Sequence, residues 1–436
     1  MKTFITSIVL YFAALTNSFS QSGWVQQNSG ISTGLGSIFF TDQNIGWAAG
    51  ANGVIIKTTN GGSNWISQNS NSTLPFYEIA FADQNTGWAV GGDYDNNPTC
   101  TDRVIIVKTT DGGSNWIPQV SGHSYIFNDL SVLNSNTAFA SNRGFAGGQF
   151  CFSSIGNILK TTNAGSNWNS TYIGGGFTGI DFINEMSGWA ADFFSTDYPP
   201  TIYRIMKSTN GGLNWLTIKT DSLYNYTGRY KRIRFLNESI GFIIFNCLKK
   251  TTDGGINWQN CDSVNTNFIN SYYFHNSDTG WCVGYTGKII RTNNGGNNWS
   301  TQVSNTSAGL SSVFFIDKNT GWITGSGGTI LKTVTGGLTS VSNISTEIPN
   351  EYFLSQNYPN PFNPKTIINF QLAMFNEVKL KVFDAKGNEV VVLVNKKLNP
   401  GTYEIEFDGS NLPSGVYFYK LEAGTFSSAK KLILLK

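Results

Sequence analysis

Lys57-Thr-Thr-Asn-Gly-Gly-Ser-Asn-Trp65 is a phrase that the chain repeats. Matching runs end at Trp116, Trp168, Trp215, Trp258 and Trp299, and a seventh, Lys332-Thr-Val-Thr-Gly-Gly-Leu-Thr-Ser340, has serine where the tryptophan belongs. The tryptophans are 51, 52, 47, 43 and 41 residues apart, with a further 41 to Ser340. That period fits the blades of a β-propeller. Each repeat also has an upstream half, as in Ile38-Phe-Phe-Thr-Asp-Gln-Asn-Ile-Gly-Trp47 and Val313-Phe-Phe-Ile-Asp-Lys-Asn-Thr-Gly-Trp322. In the first repeat the pattern predicts strand a near Ser37–Phe40, b near Trp47–Ala49, c near Val54–Thr58 and d from Trp65 onward. Four antiparallel strands make one blade.

The defective seventh phrase fixes how the ring closes. Gly23-Trp24-Val-Gln-Gln-Asn-Ser-Gly30 matches the residues that trail the other phrases, such as Trp65-Ile-Ser-Gln-Asn-Ser70, and Trp24 to Trp65 is again 41 residues. Trp24 is therefore the missing tryptophan, on an outer strand completing the blade whose inner strands lie at about 311–332. Closing the ring this way removes the exposed sheet edges of an open array. The expected class is all-β, a seven-bladed propeller closed by its N-terminal strand and followed by a small β-sandwich. Within the phrase, Asn60 or Asp111 can bond the backbone two residues on, the glycines supply positive φ, and the tryptophan can wedge between blades.

These runs resemble the Asp-box, or bacterial neuraminidase, repeat. The longer unit, with Gly-Trp before strand b, is similar to the photosystem II assembly factor family of plants and cyanobacteria, over about residues 23–340. The resemblance implies a propeller and leaves function open, because Asp-box propellers include sialidases, xyloglucan-cleaving enzymes and non-catalytic binders.

Beyond a polar segment at 341–351, read as a linker, the repeated phrase disappears and no arginine follows Arg291. Strand-like runs occur at Thr366–Leu372, Val378–Phe383, Thr402–Phe407 and Val416–Leu421. The segment opens with Tyr358-Pro359-Asn360-Pro361-Phe362-Asn363-Pro364, contains Leu412-Pro-Ser-Gly-Val-Tyr417 and ends Lys430-Lys-Leu-Ile-Leu-Leu-Lys436. It is similar to the C-terminal sorting domain of cargo for the type IX secretion system of Bacteroidota. That resemblance implies passage through the outer membrane, with the secretion machinery as a partner and release or attachment at the cell surface.

The N-terminus agrees with export. Lys2, an apolar stretch from Phe4 to Leu15 and Ser18-Phe19-Ser20 read as a signal peptide cleaved after Ser20. The apolar run is too short for the roughly 20 residues of a membrane span. The expected organisation is a signal peptide at 1–20, a propeller at 21–340, a linker at 341–351 and a sorting domain at 352–436. A net charge of +2 with only 13% charged residues argues against a nucleic-acid surface. A monomer is expected.

Five cysteines in an exported chain permit disulfides. If Lys250 faces Trp258, Cys247 on strand c faces Cys261 on strand d. Cys100 and Cys151 lie in enlarged loops of neighbouring repeats and form the second candidate pair, leaving Cys282 as a buried thiol.

Signatures of chemistry are sparse. His123 and His275 lack a second ligand at metal spacing, so no metal and no cofactor is expected. Gly174-Gly-Gly-Phe-Thr-Gly179 spells a dinucleotide fingerprint but has no helix to receive a phosphate. A sialidase needs an arginine triad and a tyrosine nucleophile, and Tyr203-Arg204-Ile205-Met206 matches only superficially. No catalytic residue is assigned. Asp93, Asp95, Asp192 and Asp197, read as loop acids, keep a glycoside hydrolase as the alternative function.

Loop length is the best functional signal. The b-to-c connections expand at 92–103, 141–156 and 193–201, all on one face of the propeller. Long loops on a rigid scaffold carry function. Tyr94, Asp95 and Arg103 lie in the first. The same face should receive Asp221-Ser-Leu-Tyr224-Asn-Tyr226-Thr-Gly-Arg229-Tyr230-Lys231-Arg232-Ile-Arg234, whose rings and cations could hold a protein or glycan. The competing reading is that Tyr230, Arg232 and Arg234 simply alternate along a strand.

Overall fold

The structure is a computed structural model that describes residues 23–93, 103–123, 126–142, 156–194, 201–223, 231–245, 247–261, 269–337, 341–345, 347–409 and 412–435. The chain divides between Gly337 and Leu338 into a propeller unit and a C-terminal unit.

The repeated phrase becomes seven four-stranded antiparallel sheets. In the first blade strands a to d are Leu35–Phe40, Gly46–Gly50, Ile55–Thr58 and Ile66–Gln68. The seventh combines Leu310–Phe315, Gly321–Gly325 and Ile330–Gly337 with the N-terminal strand Gly23–Gln27, whose Val25 faces Lys332. The inner strands of the other five blades are Phe76–Phe81, Phe127–Val132, Gly176–Phe182, Lys231–Phe235 and Ile269–Phe274. Each packs beside the inner strand of the next blade, and Leu310–Phe315 returns beside Leu35–Phe40.

Hydrophobic residues on both faces of each blade make the core a stack between blades. Strand b is buried throughout. Its leading glycine leaves room for an aromatic ring, since a Cβ on Gly46 would lie 2.5 Å from the Phe40 ring. Trp47 then stacks on Phe81 of the next blade at 3.6 Å, and Trp116 of that blade stands edge-on to Phe81 at 5.9 Å. The repeated phrase thus supplies the edge-on ring, while the Gly-Trp of strand b supplies the stacked one. Trp65, Trp215, Trp258, Trp299 and Trp24 stand edge-on in the same way to Phe40, Phe182, Phe235, Phe274 and Phe315. Trp168 instead bonds Gln119 Oε1 through its indole at 3.2 Å.

The turn differs in one detail from the expectation. Asn60 and Asp111 reach four residues ahead, accepting from Asn64 N and Asn115 N at 2.9 Å, while Thr58 Oγ1 accepts from Gly62 N at 2.9 Å. Gly61 and Gly62 hold φ of 69° and 97°, the left-handed region open to glycine.

The C-terminal unit is built from two four-stranded sheets. One runs Val341–Ser345, Gly401–Asp408, Lys365–Leu372, Phe353–Leu354, and the other Glu389–Leu398, Asn376–Asp384, Gly415–Ala423, Phe426–Leu434. Alternating residues such as Ile368, Phe370, Leu380, Val382, Tyr419 and Leu421 fill one core. Val341–Ser345, inside the segment read as a linker, pairs with Gly401–Asp408. The strands at Phe353–Leu354, Glu389–Leu398 and Phe426–Leu434 add three more to those read from sequence.

Candidate functional site

Many residues named from the sequence lie outside the described residues. These are Tyr94, Asp95, Cys100, Cys151, Asp197, Tyr224, Tyr226, Arg229 and Tyr230, together with the signal peptide. Arg103 opens strand c of the second blade and pairs with Asp93 at 3.0 Å, both about half exposed. Lys231 opens the inner strand of the fifth blade. Arg232 follows on the same strand, and its guanidinium forms an ion pair with Glu78 of the second blade.

That pair belongs to a cluster on the inner strands. These strands surround a cavity of about 320 Å³ lined on one side by Glu78, Asp181, Arg232 and Arg234 and elsewhere by Phe39, Tyr273 and Phe314. Three carboxylates and two guanidinia meet there. Arg234 Nη2 donates to Asp129 Oδ1 at 3.0 Å, its Nη1 donates to the Ile180 carbonyl at 2.7 Å, and Asp181 Oδ1 lies 3.5 Å from Nη1. The same carboxylates hold the backbone of the following blade. Asp129 Oδ2 accepts from Ile180 N at 3.0 Å and Asp181 Oδ2 from Phe235 N at 2.6 Å. An inner strand exposes edge N–H groups to the cavity, and these acids satisfy them.

Burial sets the electrostatics. It raises Asp181 to about 6 against the opposing Arg234 charge, and it raises Asp129 as well. Burial would lower Arg234, but Asp129 and Asp181 outweigh it and hold this guanidinium above its usual range. Arg232 is pulled down, first by burial and then by Arg234, with Glu78 as its counter-charge. Arg232 also sits at φ 45°, at a bulge in the ladder between Lys231 and Ile233. The Tyr272 hydroxyl donates to the Phe242 carbonyl at 2.7 Å, with the Arg232 carbonyl 3.1 Å away.

Sequence reading missed Glu78, Asp129, Asp181 and the role of Arg234. A signal exists. Aligned on the repeats, the column Ser37, Ser271, Ser312 becomes Glu78, Asp129 and Arg232 in other blades, and the column Phe39, Tyr273, Phe314 becomes Asp181 and Arg234.

Two readings need correction. Asp192 is not a loop acid: it lies in strand b of the fourth blade, Gly188–Phe194, fully buried, and accepts Arg204 Nε at 3.0 Å and Arg204 Nη2 at 2.5 Å. Cys247 and Cys261 do not face each other. Lys250 pairs with Gln259 and Lys249 with Asn260, one residue from the assumed register, and such a slip turns a side chain to the other face. Cys247 Sγ donates to Asn260 Oδ1 at 3.2 Å, whereas buried Cys261 reaches the Gly295 carbonyl at 3.9 Å. Cys282 is a fully buried thiol, its pKa raised by burial. Among the described residues no group of three His, Cys, Asp or Glu is placed to hold a metal, and no helix is long and apolar enough to cross a membrane.

The two units have separate relatives among known proteins. Residues 260–334 match the family described as photosynthesis system II assembly factor YCF48, and residues 356–435 match the secretion system C-terminal sorting domain. No curated protein matches the chain. Among solved structures, YCF48 bound to D1 peptide is similar at 18% identity and TM-score 0.53, covering 73% of this chain and 99% of the other. YCF48 from Cyanidioschyzon merolae has the same identity and TM-score, covering 71% and 98%. The WD40 β-propeller domain of Doa1, at 9% identity and TM-score 0.51, covers 72% and 97%. At these identities the likeness concerns the fold. The sorting domain implies export to the cell surface or beyond and interaction with the secretion machinery. The chain carries a YCF48/BNR-like repeat propeller followed by a type IX secretion-system C-terminal sorting domain.

Proposed function

We propose that the exported propeller is a non-catalytic recognition or adhesion module that binds a protein or glycan through its long-loop face. The observation that carries this reading is the engagement of Asp93, Asp129, Asp181 and Asp192. Asp129 and Asp181 hold Arg234 and backbone N–H groups, Asp192 holds Arg204, and Asp93 holds Arg103. A glycoside hydrolase needs two carboxyl groups facing one bond, one to donate a proton and one to attack or to activate water. Acids engaged in this way support the framework. The peptide on the similar YCF48 structure favours a protein segment as the ligand.

The test uses the purified full chain on peptide and glycan arrays, alongside a hydrolysis screen. Replacing Tyr224, Tyr226 and Arg229 by alanine should abolish capture without lowering the melting temperature. Glycan turnover that disappears in Asp93→Asn or Asp95→Asn would overturn the proposal in favour of a hydrolase.

A further inference from the structure

The sorting domain has four sheet edges, and three of them are blunted. Phe353–Leu354 is two residues long, Val341–Ser345 meets its neighbour with a register break, and Glu389–Leu398 has two breaks in its ladder. Short and bulged edges resist addition of another strand. The fourth edge, Phe426–Leu434, is different. Its ladder with Gly415–Ala423 runs from Gly415 opposite Leu434 to Ala423 opposite Phe426 without a break.

This edge is covered over part of its length only. Phe362 N donates to the Ile433 carbonyl and Leu435 N to the Phe362 carbonyl, both at 2.9 Å. Pro359 and Pro361 have no N–H to give, so the rest of the cover comes from side-chain amides. Asn360 Oδ1 accepts from Ile433 N at 2.9 Å, and Asn360 and Gln356 both donate to the Lys431 carbonyl. Because Ile433 turns its backbone outward, the alternation of an antiparallel ladder turns Lys431, Ala429 and Ser427 outward too. Ser427 and Ala429 have exposed, small side chains, and among the described residues nothing bonds their outward N–H and carbonyl groups.

We propose that the open stretch Ser427–Lys430 is where the secretion machinery docks, by adding one of its own extended segments as a further strand. The inference rests on the sorting-domain reading, whose match begins at Gln356 on the covering segment and ends at Leu435 beside the edge strand. Main-chain bonds would supply the affinity of such a contact. Lys430 and Lys431, with no acid between Ala423 and Lys436, favour a partner segment carrying acidic side chains.

The test is proline substitution in the full chain, expressed in cells that possess the secretion system. Proline removes an outward N–H and is tolerated on an edge strand where that group faces solvent. Ala429→Pro and Ser427→Pro should each lower the exported fraction about tenfold while leaving the melting temperature of the purified protein near that of the parent. Ala429→Val, which keeps the N–H, should be exported normally. Folded proline variants exported at the parent level would overturn the proposal. So would unfolding of both variants, which would place those N–H groups inside the ladder. A dimer in solution that Ala429→Pro dissociates, with export unchanged, would assign the edge to a second copy instead. Normal export after removal of residues 352–436 would sink the sorting reading itself.

Discussion

The indole of Trp322 donates to the Gly61 carbonyl at 3.0 Å and stacks on Phe40 at 3.5 Å, joining the last blade to the first. The same latch recurs from Trp47 to Gly112, Trp189 to Gly254 and Trp281 to Gly336. In the third and fifth blades Phe139 and Phe242 replace the tryptophan, and a lysine bonds the next blade, at the equivalent glycine carbonyl in the third blade and at a neighbouring turn in the fifth. Lys160 donates to the Gly211 carbonyl and Lys250 to the Ser277 carbonyl, each ammonium lying within 5.7 Å of the ring it covers.

The seam should therefore tolerate Trp322→Phe far better than Trp322→Ala. Alanine leaves a cavity at a fully buried site and should cost about 3–5 kcal/mol. Phenylalanine keeps the stacking and loses one hydrogen bond, costing about 1–2 kcal/mol, with Lys332 already over the ring. Chemical denaturation of both variants checks this; equal losses would show that the indole N–H holds the seam.

Asp181 predicts a pH dependence of known sign. Its carboxyl titrates at about 6 in the folded chain against an ordinary 3.8, so proton binding favours the folded state. That contribution is fully present below about pH 4 and is lost as pH rises through 6. Measured as urea midpoints, the advantage of the parent over Asp181→Asn should shrink between pH 4 and pH 7. A widening advantage would mean that the ion pair with Arg234 outweighs burial.

Ring closure was legible because two defects, Ser340 and Trp24, explain each other at the common period. The partners of Arg232 and Arg234 were not. Both alternate along an inner strand as any strand residue does, and only the closed ring brings Glu78 of the second blade to Arg232 of the fifth. The position of Cys261 was lost for a more local reason. The residue after the tryptophan, not the tryptophan itself, faces the lysine, as Ile66 faces Lys57 and Gln259 faces Lys250, so the tryptophan does not mark the register.

In the sorting domain, Tyr419 and Asn357 should act as one structural unit. The Tyr419 hydroxyl accepts from Asn357 N at 2.8 Å and donates to the Ser355 carbonyl at 2.6 Å. Asn357 Nδ2 donates to Thr366 Oγ1 at 2.9 Å and to the Pro359 carbonyl at 3.0 Å. Tyr419→Phe leaves two buried backbone groups without a partner and should cost about 1–3 kcal/mol. Asn357→Ala should cost a similar amount, and the double variant less than the sum. Thermal melting of the three proteins checks this, and strict additivity would show that the two residues act independently.

The pair between Glu78 and Arg232 should be costlier to break than to remove. Both side chains are largely buried, Glu78 10% and Arg232 22% exposed, so a charge left alone has little water to recover. Truncating one partner of a buried ion pair costs about 3–5 kcal/mol because the other charge stays uncompensated. Glu78→Ala also leaves two guanidinia, Arg232 and Arg234, to repel each other from one strand. Arg232→Ala leaves the Glu78 carboxylate without its counter-charge and keeps an alanine at a φ of 45°, whereas Arg232→Gly removes the backbone strain of about 1–3 kcal/mol at that position. The expected order of stability is therefore Glu78→Ala/Arg232→Gly above Arg232→Gly, and Arg232→Gly above Arg232→Ala. Denaturation midpoints give the order directly. A double variant less stable than Arg232→Gly would mean that Glu78 contributes through packing, and that charge pairing is not what keeps these two residues together.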